Sequence, residues 1–192
     1  MNLSDLERQV NELADREAIR ECMNRYCRGI DRRDEAALRS AYWPDATDRH
    51  GPYQGSANGF IDWALESLAT RGERSVHNIA NLSIELHGPQ AAVETYFLAL
   101  QRDRDPQGRS REVFLAGRYV DRFEKRGTEW RIAARVTLRD WSMMDEIADI
   151  SDLSSFTSTR ALLSIAERAF MNAGRTATRD RSDPSYDRPL KV

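Results

Sequence analysis

Cysteine is scarce in this 192-residue chain, with only Cys22 and Cys27 present. The two lie five apart on one predicted helix, where side chains point to different faces, so the spacing does not suit a disulfide. They read as small buried thiols of a reducing compartment. Histidine is rarer than it looks for a metal protein, with three in all, and the histidines, cysteines and acids show no tetrahedral zinc spacing. An excess of one charge is also lacking: 29 basic residues face 31 acidic ones, for a net charge of −2. No basic stripe tracks a phosphate backbone, which argues against a nucleic-acid partner. Long hydrophobic runs are missing as well. The longest, such as Val93–Leu100, is far too short to span a bilayer, and Met1–Val10 has neither a basic nor an apolar leader segment. A cytoplasmic protein without a membrane partner is the expectation. No glycine-rich phosphate loop and no nicotinamide or flavin fingerprint occurs, so no cofactor is expected.

What is present suffices for one domain with an appendage. Apolar residues make up 40% of the chain and charged residues 31%, enough for one core under a well-solvated surface. Ser4-Asp5-Leu6-Glu7 reads as a capping box for a short helix with Leu6, Val10 and Leu13 on one stripe. The stripe loses phase at Asp15, which can cap a second helix bearing Ile19, Cys22, Met23, Tyr26 and Ile30, with Gly29 near its end. Asp34 can cap a helix over Glu35–Tyr42, stopped by Pro44. Asp48–Gly55 reads as a loop or short strand, and Ser56–Leu68 as a helix. The period then changes to that of strands over Ser75–His87, Ala91–Gln101, Glu112–Lys125 and Glu129–Asp140. Helices followed by a meander of long antiparallel strands imply an α+β fold, helices packed on one face of a curved sheet. Val93–Leu100 and Val113–Tyr119 are apolar on both alternations, so both sheet faces need cover; a homodimer or higher homo-oligomer is the expected partner on the outer one. Beyond residue 145 the character changes. Residues 146–192 read as an extension with one amphipathic helix, Thr159–Asn172, and a polar tail.

Three stretches resemble the SnoaL-like (nuclear transport factor 2-like) superfamily over residues 1–145. The first runs from Ala14-Asp15-Arg16-Glu17-Ala18-Ile19-Arg20 through Arg25-Tyr26 and Asp31 to Tyr42-Trp43-Pro44-Asp45-Ala46. The second is Val76-His77-Asn78-Ile79. The third is Gly117-Arg118-Tyr119-Val120-Asp121-Arg122-Phe123 with Glu129-Trp130-Arg131-Ile132 and Asp140-Trp141. The resemblance implies a cone: N-terminal helices on a strongly curved, mostly antiparallel sheet enclosing a pocket. Scytalone dehydratase, hexachlorocyclohexane dehydrochlorinase, polyketide cyclases, steroid isomerases, a diarylpropane lyase and non-catalytic binding proteins share it, so the fold alone does not set the function. In the dehydratase and dehydrochlorinase families an Asp after the long N-terminal helix orients a His on the first long strand, which acts as general base. Asp31 and His77 match those positions. A histidine titrates near neutral pH, and a carboxylate on its far nitrogen fixes the tautomer.

Further residues are candidates for substrate contact. Tyr26 lies one and a half helical turns before Asp31 and either donates to a developing oxyanion or fills the core. His50 and Tyr53 sit in a Gly- and Pro-containing segment where a second acid or base could stand. Trp43 and Trp141 belong to an aromatic set suited either to core packing or to a flat ligand. Arg135 and Arg139 share a face of the last strand with Trp141, unless a bulge reverses the parity. An inward Arg would bind an oxyanion or pair with Asp31. The resemblance thus implies a cofactor-independent lyase or isomerase for a small hydrophobic, aromatic substrate, losing water, halide or a small carbonyl fragment such as formaldehyde. A hydrolase or cyclase, a non-catalytic small-ligand-binding module and the structural small subunit of a ring-hydroxylating dioxygenase are the alternatives. An intact His–Asp pair counts against the last.

Overall fold

The computed structural model describes residues 2–146. The extension over 147–192, with the helix expected at Thr159–Asn172, lies outside the described residues. In place of the two helices expected around Asp15, one helix, α1, runs unbroken over Leu3–Arg32. Its N-cap is Asn2, whose side chain accepts from the Asp5 N–H, and not Ser4. Asp15 does not turn back to cap; its Oδ1 accepts from Lys125 Nζ at 2.6 Å and from Trp130 Nε1 at 2.9 Å. The change of phase at Asp15 instead marks where the helix leaves water. Leu3, Leu6, Val10 and Leu13 are exposed, whereas Ile19, Met23, Tyr26 and Ile30 are buried.

The helix ends at Arg33, which takes the left-handed conformation with φ 52° and bonds back to the Gly29 and Ile30 carbonyls. Gly29 is therefore not the cap. It lies where the next helix crosses, and a Cβ there would meet Leu38 Cβ and N at 2.7 Å. Asp34 caps α2 as expected, accepting from Ala37 N, but α2 stops at Ser40 (Glu35–Ser40). Tyr42–His50 forms strand β1, paired with β2 (Tyr53–Ser56). Pro44 does not merely stop a helix; it sits within β1 at a register shift between Tyr42 and Thr47, where its missing N–H costs no ladder bond. Helix α3 covers Ala57–Thr70, and long strands β3 (Gly72–His87), β4 (Gln90–Arg104), β5 (Ser110–Arg126) and β6 (Glu129–Glu146) follow.

The six strands form one open sheet ordered β2-β1-β6-β5-β4-β3, not closed into a barrel. All pairings are antiparallel except β1 with β6, so the sheet is mixed. Register shifts between Ile79 and Leu82 in β3, and at two points of the β5–β6 pair, bend and coil the strands. Helix α1 packs on β3 and β6, while α3 packs on β1, β2 and β3. The inner face is filled at one end by Trp130, Ile132, Phe123 and Arg135, all buried. Toward the start of β3, Ile79 and Leu115 are only partly buried. On the outer face Val76, Leu98, Leu100, Val120, Val136 and Leu138 stay 37–54% exposed, as the double alternation of apolar residues foretold.

Gly29 holds the α1–α2 crossing that places Asp31. Gly29→Ala is expected to lower stability by about 1–3 kcal/mol, the usual cost of overpacking against backbone. Denaturant unfolding with an unchanged m-value would report it.

Candidate functional site

Asp31 is the penultimate residue of α1, and β3 is an edge strand whose free side faces that helix end. One carboxylate grips His77 twice. His77 Nδ1 lies 2.6 Å from Asp31 Oδ1, and the His77 backbone N–H donates to Asp31 Oδ2 at 2.8 Å. Ser75, buried two residues earlier, adds a side-chain bond to the same carboxylate. Both side chains are largely withdrawn from water, at 7% exposure for His77 and 13% for Asp31. Burial pushes the Asp31 carboxyl up, but the ring, charge and backbone N–H of His77 outweigh it and hold the group below its usual 3.8. With Nδ1–H assigned to the carboxylate, neutral His77 presents an Nε2 lone pair, and no partner occupies Nε2 among the described residues. The expectation that Asp31 and His77 meet is what the geometry shows.

The other expected contacts divide. His50, at the end of β1, is stacked on Phe60 of α3 with ring centroids 4.6 Å apart, and its Nδ1 is 2.9 Å from Thr137 Oγ1. Tyr53 stacks on Trp63 and gives its hydroxyl to the Ser56 carbonyl at 2.9 Å. Both line the α3 side of the inner face. Arg135 neither pairs with Asp31 nor waits for an oxyanion. It is fully buried, bidentate to Asp121 at 2.7 Å for each bond, with Nη2 3.0 Å from Met23 Sδ and Nη1 3.5 Å from the Tyr42 hydroxyl. Its guanidinium lies against the rings of both Tyr26 and Tyr119, 4.1 and 4.2 Å from their centroids. Tyr26 is thereby core, its hydroxyl bonded to Tyr119 and its pKa pushed up by burial. Trp43 lies at the opposite end of the sheet from His77, between the guanidiniums of Arg126 and Arg131 at 4.9 and 4.8 Å, donating to the Glu124 carbonyl.

Arg139 and Trp141 are separated by the bulge that would reverse the parity. Arg139 opposes Gly117 on the inner register and is exposed; Trp141 opposes Ala116 on the outer face and is 69% exposed. Trp141 is therefore not brought to the site. The sequence reading missed Asp48, Asp121, Thr95 and Thr137, all on inward positions. A signal existed for Asp121: it shares parity with Gly117, Tyr119 and Phe123, so a charge falls on an apolar register. Among the described residues no group of three or more His, Cys, Asp or Glu side chains is placed to hold a metal ion, and no helix is long and apolar enough to cross a membrane.

The SnoaL-like domain model matches residues 11–136. Among solved structures, a hexachlorocyclohexane dehydrochlorinase (LinA) of type 2 is 22% identical, with a TM-score of 0.63 over 73% of this chain and 94% of that one. A candidate scytalone dehydratase from Novosphingobium aromaticivorans is 19% identical, with a TM-score of 0.63 over 73% and 93%. The type 3 dehydrochlorinase from Novosphingobium barchaimii is 22% identical, with a TM-score of 0.63 over 73% and 95%. At these identities the likeness carries the fold. No curated protein matches by sequence.

The lowered pKa of Asp31 makes stability depend on pH in a stated direction. A carboxyl depressed in the folded state contributes fully above its unfolded value near 3.8 and loses that contribution as pH falls through the folded value. Asp31→Asn removes the titration. Urea unfolding should therefore show a stability gap between wild type and Asp31→Asn that shrinks as pH falls below about 4. A gap that widens toward low pH would contradict the arrangement.

Proposed function

The chain belongs to the SnoaL-like domain family, and we propose that it is a cofactor-independent lyase whose base is His77, oriented by Asp31. The observation that carries this reading is the doubly held His77. Its backbone N–H and its Nδ1 are both fixed by one buried carboxylate, and its Nε2 is left without a partner. Tying the backbone and the ring nitrogen of one residue to the same carboxylate restricts the rotation of the ring, freedom that would blunt proton transfer. When Nε2 takes a proton from a substrate carbon, the imidazolium forms beside an ionised carboxylate, which stabilises it. The substrate is a small hydrophobic, aromatic molecule admitted beside His77, where Ile79 and Leu115 of the inner wall remain partly exposed. Loss of water, halide or a small carbonyl fragment follows the proton abstraction. The dehydrochlorinase and dehydratase names among the fold relatives agree in reaction type with this proposal. A binding module without chemistry, or a structural subunit, has no use for a buried carboxylate–imidazole pair with one nitrogen free.

The outer sheet face supports a second part of the proposal, that the protein is a homodimer joined through β3–β6. Half-exposed Leu98 and Leu100 stand beside Val76 on β3, with Val120, Val136 and Leu138 alongside, making a continuous apolar surface. Sedimentation at micromolar concentration is expected to give a dimer, and Leu98→Asp with Leu138→Asp to give monomers; a monomeric wild type would defeat this part.

The reaction test begins with a screen of aromatic alcohols, chlorinated rings and diaryl compounds for loss of water, halide or formaldehyde. On a turned-over compound, His77→Gln is expected to lower kcat by roughly 10²–10⁴-fold while the fold persists. Asp31→Asn should do comparable damage. A His77→Gln enzyme at near wild-type rate would place the base elsewhere.

A further inference from the structure

His50 and its surroundings repeat the logic of His77 in a second place. The ring is held flat against Phe60, 4.6 Å between centroids and 19° between planes. Its Nδ1 is engaged by Thr137 Oγ1 at 2.9 Å and faces Asp48 Oδ1 at 3.5 Å. Its Nε2 has no partner among the described residues, and the side chain keeps 26% exposure while Asp48 behind it keeps none. Asp48 itself is half satisfied. Oδ2 accepts from the Tyr42 hydroxyl at 2.6 Å, but Oδ1 is buried with no hydrogen-bond partner. A buried carboxylate oxygen without a donor is costly and calls for an explanation.

Charge counting supplies one. Behind the site, two carboxylates, Asp48 and Asp121, share a fully buried cluster with one guanidinium, Arg135. Arg135 spends two of its N–H groups on Asp121 and reaches Asp48 only through the Tyr42 hydroxyl. The group facing the unpartnered Asp48 oxygen is His50, and a ring that carries a proton there holds its positive charge beside Asp48 and presents an N–H on Nε2.

The inner wall joins the two histidines. His50 lies 6.2 Å from the Tyr119 ring, Tyr119 is stacked on Phe97 at 4.4 Å, and Phe97 pairs across the sheet with Ile79, two residues beyond His77. His50, Thr137, Tyr119 and Phe97 all occupy inward register positions.

We infer that His50 is the proton donor of the site, backed by Asp48 and Thr137, and that the substrate is accordingly an oxygen-bearing aromatic compound that loses water. The inference rests on the reading of His77 as base. In the step, His77 Nε2 takes the proton from carbon and that C–H pair forms the new C=C bond. The neighbouring C–O bond breaks, and its oxygen leaves as water with the proton from His50 Nε2. His77 has gained one proton and His50 has lost one; exchange with solvent restores both. The chemistry selects the leaving group. Halide departs as a stable anion and needs no donor, whereas hydroxide is a poor leaving group and does. A built donor site is therefore of use for water and wasted on chloride.

The test uses the full chain and binding, so it does not depend on finding the substrate. Equilibrium dialysis measures 2-naphthol against naphthalene, two rings that differ by one hydroxyl. Wild type is expected to prefer 2-naphthol by about tenfold, the scale of one hydrogen bond to a charged group. His50→Phe keeps the stacking on Phe60 but has no nitrogen, and should reduce the preference to under about threefold. His50→Gln keeps a donor at the Nε2 position and should retain most of it, which separates the donor role from a structural one. No preference in wild type, no binding of either compound, or an undiminished preference in His50→Phe would each overturn the inference. Failure of the His77 reading shows separately, as a His77→Gln enzyme that retains its rate.

Discussion

The fold turns on one buried cation. The Arg135 guanidinium ties β6 to β5 through Asp121, to β1 through Tyr42 and to α1 through Met23 and the face of Tyr26. A buried ion pair is dear to desolvate and is seldom the cheapest way to stabilise a core. What it does here is fix direction. Its partners lie on three other elements, β5, β1 and α1, and an apolar residue of the same volume would allow the helix to slide or rotate on the sheet. Because α1 is a single 30-residue rod, its rotation at Met23 and Tyr26 sets where Asp31 arrives two turns later. The position of the carboxylate on His77 is thus set in part by a pair that never touches it.

The inner face divides the labour accordingly. Around Arg135 the guanidinium, Asp121, Tyr26 and Tyr119 engage one another, and Tyr26 and Tyr119 are pushed far from ionisation by burial. Beside them, His50 on β1 and His77 on the edge strand β3 keep one nitrogen each uncommitted. A site for proton transfer needs this contrast: rigid groups that cannot react behind groups that can.

The sequence made the fold legible because its periods are clean. Four long strands alternate, α3 repeats at three and four, and Asp34 caps where a helix starts. It was less legible where one residue had two uses. Asp15 reads as a cap but serves as a distant acceptor for Lys125 and Trp130, a bond between residues more than a hundred apart that no local pattern encodes. Pro44 reads as a helix stop, and the strand around it is possible only because the ladder shifts there. Asp31 and His77 were found through family likeness rather than periodicity. Trp43 and Trp141 were placed at the site because tryptophan suits flat ligands, yet one is held by two arginines and the other is turned outward by the single extra residue at Asp140.

That extra residue shows how little separates the faces of such a sheet. Along β6, Arg135 and Thr137 point inward and Val136 and Leu138 outward, in strict alternation. After the bulge, Trp141 and Met143 pair with Ala116 and Phe114 of the outer register instead. The consequence is chemical as well as geometric. Without the shift, Trp141 would follow Arg139 inward, opposite the start of β5, and crowd the end of the cone where Ile79 and Leu115 remain partly exposed. With it, the outer face gains a large exposed ring and the inner face keeps its opening. A bulge at a strand end thus adds apolar surface to the outer side and leaves the inner side accessible to a ligand, two results of one register change.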